Sequence, residues 1–234
     1  MPRTLDHAGS PLARGRTEID SIQSKSPLGA CLTDLTLQQI VLRFCAVLLI
    51  VSLHGLVVAA SAYALGDPGP RYDGRVKLNP LAHLDLIGFA SAAMFLIGWI
   101  KPVAIDPGGL RSGRIGLVVV VAAAAFGVLI LVEALQLVRP FLLPLLDDTT
   151  STFAFALIEN IGQLGIWFAL ANLLPFPPFT GSHLLAAVVP KTGELMRRFH
   201  IYFALLLVVI AATGVITRIL EPAYRVVAGI LLRN

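Results

Sequence analysis

FCAVLLIVSLHGLVVAASAYAL, the run from Phe44 to Leu65, decides the fold. Its 22 residues contain no Asp, Glu, Lys or Arg. As a helix they extend about 33 Å, enough to cross about 30 Å of hydrocarbon. Arg43 bounds one end and Gly66-Asp67-Pro68 the other, where proline cannot continue a regular helix. Further runs lie downstream. Leu86–Ile100 is 15 residues, short for a crossing unless Lys101 snorkels, and otherwise kinked or re-entrant. Ile115–Val132 is a clean 18, interrupted by Glu133 and resuming to Val138, with a break expected at Arg139-Pro140. Thr152–Leu174 follows a loop at Asp147–Ser151, and Ile201–Thr217 is the last span, ended by Glu221-Pro222.

The whole chain fits that reading. Apolar residues make up 56% of 234, mean hydropathy is +0.82 and only 14% of residues are charged. Soluble domains carry about 25% charged residues. The expected fold is all-α: a polytopic transmembrane bundle of four to six membrane segments spanning 41–220. A polar tail over 1–40, with no apolar h-region and a short surface helix from about Thr33, precedes it. An interfacial segment over 221–234 follows. The net charge of +4 is spread over loops beside a membrane rather than gathered into a nucleic-acid face. Cys31 and Cys45 form no disulfide or metal motif.

Polar residues inside the apolar runs are the candidates for chemistry, because they are costly in lipid unless they face protein or water. His54 stands in the first span; Glu159, Asn160 and Gln163 stand in the fourth region, where pairing between helices is the favoured reading. Pro175-Phe176-Pro177-Pro178-Phe179-Thr180-Gly181 excludes a regular helix, so this backbone must be sheltered by protein, and packing against Phe44–Leu65 is expected. Alanines in 59–64, 90–93 and 122–125 allow close helix approach.

Three blocks together resemble the membrane core of the site-2 protease family, the M50 metallopeptidases, in its small bacterial branch. They are His54-Gly55-Leu56-Val57-Val58; Asn79-Pro80-Leu81-Ala82-His83-Leu84-Asp85 with Lys101-Pro102-Val103; and Asn172-Leu173-Leu174-Pro175 through Pro178 to Gly181. The resemblance implies a His-Glu-x-x-His helix and an aspartate before a distant glycine, which together hold zinc and activate water. Here the first histidine, His54, is present. Gly55 stands at the glutamate position, Val58 at the second histidine and Thr180 at the aspartate.

One imidazole cannot hold a catalytic zinc, which needs about three protein ligands. The expectation is therefore a pseudoprotease with no catalytic residue, metal or cofactor. It would act as an accessory or structural subunit of a larger complex in the bacterial inner membrane, with membrane proteins and the bilayer as partners and no nucleic acid. The alternative is an active zinc metalloprotease with an atypical ligand set, for which His54 and His183 are the candidate ligands. His83 and Asp85 are expected to hold their loop by hydrogen bonds.

Overall fold

The computed structural model describes residues 37–189 and 198–232. The expected tail over 1–40 lies almost wholly outside these residues, as does most of the polar loop expected at Lys191–Arg198. Within them the chain is helical: α1 (Leu37–Ala64), α2 (Gly69–Tyr72), α3 (Pro80–His83), α4 (Leu86–Phe95), α5 (Arg114–Leu142), α6 (Asp148–Ala171), α7 (Ser182–Val188), α8 (His200–Ala212) and α9 (Val215–Leu231).

Helices α1, α5 and α6 pack on one another and form the centre. Ala46, Val47, Ile50, Val51 and Val58 of α1 meet Val120, Ala124 and Val128 of α5 and Ile161, Leu164 and Phe168 of α6. The alanines in this cluster have almost no side chain to displace, so the helices approach closely. The outer faces remain apolar, as Leu49, Val119, Phe126 and Ile130 show by their exposure. An apolar face turned outward suits a hydrocarbon solvent. Three helices are long and apolar enough to cross a membrane, or four if the bent α8–α9 pair counts as one span. The chain is thus an integral, multi-pass membrane protein, and three to four spans by this measure reach only the lower bound of the four to six membrane segments expected.

The difference begins at Leu86–Ile100. Helix α4 has 10 residues, about 15 Å, and stops at Leu96, whose φ of 66° caps it. Leu84 then pairs antiparallel with Ile100, and Lys101 N–H donates to the His83 carbonyl at 2.8 Å. The two ends of the run are neighbours, so it enters and returns; the extension through Lys101-Pro102 does not occur.

Proline and acidic residues also terminate fewer helices than expected. Helix α5 passes through Pro140 and ends at Leu142. Only its last turn lies beyond the proline, so the cost is confined to the one bond missing at the Gln136 carbonyl. Asp147-Asp148 is no loop: the Asp147 carboxylate accepts from Thr150 N–H and caps α6. At the carboxyl end the break falls at Thr213-Gly214 instead of Glu221-Pro222. Gly214, at φ 71°, supplies the left-handed turn, and α9 leaves at 71° to α8. Helix α9 then continues through Pro222.

Candidate functional site

The Asn172–Gly181 turn packs against the middle of α1. Asn172, at the end of α6, fixes it. Its side-chain N–H groups donate to the Gly98 carbonyl at 3.0 Å and the Phe168 carbonyl at 2.9 Å. That orientation leaves its Oδ1 to accept from Thr180 N at 3.1 Å and from the Thr180 hydroxyl at 3.2 Å. Gly181 N–H closes the turn on the Asn172 carbonyl at 2.7 Å. Pro177, Pro178 and Phe179 lie on the cavity side of this turn, while Pro175 lies in it between Leu174 and Phe176.

Thr180 then reaches His54, whose Nε2 is 2.9 Å from the hydroxyl oxygen; both residues are buried. A hydroxyl has one proton. That proton goes either to Asn172 Oδ1 or to His54 Nε2, and the imidazole tautomer follows the choice. The imidazole Nδ1 is buried and faces the Ala124 backbone outside hydrogen-bonding geometry. Phe168 packs edge-on against the ring, with centroids 5.2 Å apart.

His83 fills the space beside Gly55. A Cβ added at Gly55 would lie 2.3 Å from His83 Nδ1 and 2.7 Å from His83 Cβ. His83 is fully buried and its Nε2 is 3.1 Å from the Lys77 carbonyl. Since a carbonyl only accepts, Nε2 carries the proton and Nδ1 is left without a partner. Burial holds the His83 pKa below its usual value, against the Lys77 carbonyl, which favours the charged form. The rest of this block is capping: Asn79 accepts from Leu81 N–H ahead of Pro80, and Asp85 accepts from Gly88 N–H to start α4.

A cavity of about 630 Å³ opens on the other side of Thr180. Val58, Thr180, His183 and His200 line it, together with Asp67 and Asp106. Asp67 is committed to backbone, accepting from Gly69 N and Asp106 N. His183 is half-buried along the cavity, and burial pushes its pKa down to about 4. His200 comes within 3.7 Å of Asp85.

The donors do not fit a zinc centre. His54 Nε2 is engaged by its hydrogen bond with Thr180, and Gly55 and Val58 have no ligand atoms. Among the described residues no three His, Cys, Asp or Glu side chains are grouped closely enough to hold a metal. The polar residues of α6 divide. Glu159 pairs with Arg139 of α5 at 2.5 Å, Asn160 bonds its own helix at the Ala156 carbonyl, and Gln163 is exposed instead of paired inside. The Gly55–His83 contact and the cavity histidine His200 went unmarked by sequence reasoning; His200 follows a polar stretch without a motif.

Fold and site together define a polytopic helical membrane protein built around an intramembrane polar centre. A Bacillus subtilis (strain 168) protein named "Putative zinc metalloprotease YwhC" is 31% identical to this chain over 156 residues, covering 63% of this chain and 69% of the relative. The chain belongs to that relative's family, the M50 metallopeptidases. No family model matches the chain and no solved structure matches it.

Proposed function

We propose that this chain is a noncatalytic member of the small bacterial M50 branch, a pseudoprotease that serves as an accessory or structural subunit of a larger membrane complex. The supporting observation is the bond between His54 Nε2 and Thr180. The nitrogen that would meet a metal is engaged by the residue at the aspartate position, and Thr180 is held in turn by Asn172. Gly55 cannot transfer a proton, and His83 occupies the volume a longer side chain would need. The bundle keeps a cavity beside this centre, and a binding role uses that surface without hydrolysis.

The second reading is an atypical zinc protease, favoured by the proximity of His183 and His200 to Thr180 around one cavity. One experiment separates the two. Wild-type and His54→Ala protein are purified in mild detergent, washed free of loose metal, assayed for zinc, and incubated with a broad set of transmembrane peptides. Substoichiometric zinc and equal, negligible cleavage are expected. One tightly bound zinc per chain, lost in His54→Ala and accompanied by chelator-sensitive turnover, would overturn the proposal. Co-purification of a defined set of membrane proteins is the expected result for the subunit role; a chain that purifies alone at native abundance counts against it.

A further inference from the structure

Helix α9 carries three stripes. Ile216, Leu220, Tyr224 and Val227 face the bundle, and Tyr224 stacks on Trp167 of α6 at 4.3 Å with only 7° between the rings. Val215, Ile219 and Val226, spaced as one helical face, are exposed at 45%, 68% and 65%. Between these two faces run Thr217, Arg218, Glu221 and Arg225. An exposed apolar stripe alongside a charged one is the pattern of a helix lying in the membrane interface. The 71° bend at Gly214 turns α9 away from the direction of α8.

The charged stripe borders a groove of about 280 Å³ formed by Trp167, Thr217, Arg218, Glu221, Tyr224 and Arg225. Glu221 is paired with Arg225 at 2.5 Å. The Arg218 guanidinium makes no hydrogen bond or ion pair among the described residues. The groove therefore holds one uncompensated cation and a hydroxyl, and an aromatic pair forms its wall.

We propose that this groove binds the phosphate of an anionic phospholipid, whose acyl chains lie along Val215, Ile219 and Val226. Arg218 is the principal contact, because a guanidinium presents paired donors that match two phosphate oxygens. Thr217 borders the site but adds no donor, because its one proton goes to the Gly214 carbonyl at 2.9 Å. Arg225 contributes once phosphate competes with Glu221 for it. Trp167 and Tyr224 suit the headgroup level, where amphipathic rings collect. The site is independent of the metal question and of the subunit role.

The test measures lipid binding by the intact chain in detergent, by native mass spectrometry and by thermal protection. Phosphatidylglycerol, phosphatidylcholine with the same acyl chains, and inorganic phosphate are added separately. Phosphatidylglycerol is expected to bind and protect, with phosphatidylcholine clearly weaker. Arg218→Gln should weaken phosphatidylglycerol by about fivefold, and the Arg218→Gln/Arg225→Gln pair by more. Arg43→Gln, which removes a positive charge at the start of α1, should change it less than about twofold. Equal binding of the two lipids, or an unchanged affinity in the Arg218 variants, would overturn the proposal. Protection by inorganic phosphate alone as strong as that by the lipid would also overturn it, since the site would then select a free anion.

Discussion

The middle of the bundle and the end where α5 meets α6 use similar polar residues under opposite conditions. In the middle, His54, Thr180 and Asn172 are buried and bonded in a chain, the Nδ1 atoms of His54 and His83 have no hydrogen bond, and His83 presses against bare backbone at Gly55. Toward the end, Arg139 in the last turn of α5 reaches Glu159, midway along α6, the two being 22% and 23% exposed, and Asp147 caps α6 in the open. Water can replace a lost partner at the end but not in the middle, so the same chemical change has different consequences. His54, Gly55, Val58 and Thr180, which the resemblance sets at the family's catalytic positions, fall in the middle, where every replacement must fit neighbours already in place.

The largest expected effect follows from the tightest approach. Gly55→Ala places a Cβ 2.3 Å from the His83 ring and should destabilise the protein by about 3 kcal/mol. Gly55→Glu should do at least as much, and neither should create hydrolysis. Thermal unfolding in detergent measures both. His83→Ala in the Gly55→Ala background should recover part of the loss, since it removes the ring but leaves its Cβ at 2.7 Å. An unaffected Gly55→Ala midpoint would remove the tight middle from the comparison. Next comes Thr180→Val, which keeps the shape and deletes the hydroxyl. It strands His54 Nε2 and one acceptor position on Asn172 Oδ1, at about 2 kcal/mol. Thr180→Ser should retain most of that stability; equal losses from Val and Ser would show that the hydroxyl contributes nothing.

Much of this was legible in the sequence, and the limits have physical causes. Long spans declare themselves because 22 uncharged residues have few other places to go. The re-entrant run was narrowed by length alone, and its return needed Leu84 and Ile100 in register, a pairing that periodicity does not reveal. Pro140 and Pro222 read as breaks because a proline removes one helical hydrogen bond. Pro140 lies close to the α5 terminus, and the carbonyl freed by Pro222 belongs to exposed Arg218, where the outside medium can meet it. Gly214 looked unremarkable until its positive φ made it the real corner. His83 could be read as a loop residue, but its seat on Gly55 depends on two backbones meeting across 28 positions.

Arg139→Gln tests the intermediate case. The pair with Glu159 is partly sheltered, and Arg139 also lies over the Phe155 ring at 5.2 Å. A loss of about 1 kcal/mol is expected, smaller than that of Thr180→Val. It should shrink further in high salt, as a partly solvated pair is screened. A loss exceeding that of Thr180→Val would reverse the ranking of the two regions.

The smallest effect belongs to Asp147, and it is best read as a pH dependence. Hydrogen bonds from the Thr150 side chain and backbone lower its pKa below the ordinary 3.8. A carboxylate with a depressed folded pKa adds stability above its unfolded pKa, and that stability disappears as pH falls through the folded value. Asp147→Asn keeps a good cap without the charge. The wild type should therefore unfold slightly later than Asp147→Asn near neutral pH. The gap should close in acid, where Asp147 takes up its proton and the two side chains become alike. Unfolding midpoints taken from about pH 6 to about pH 2.5 follow this directly, since the interval brackets the unfolded carboxylate pKa. A gap that stays constant across that range would mean that the charge at the α6 cap is irrelevant, and that water at the bundle end replaces the interaction completely.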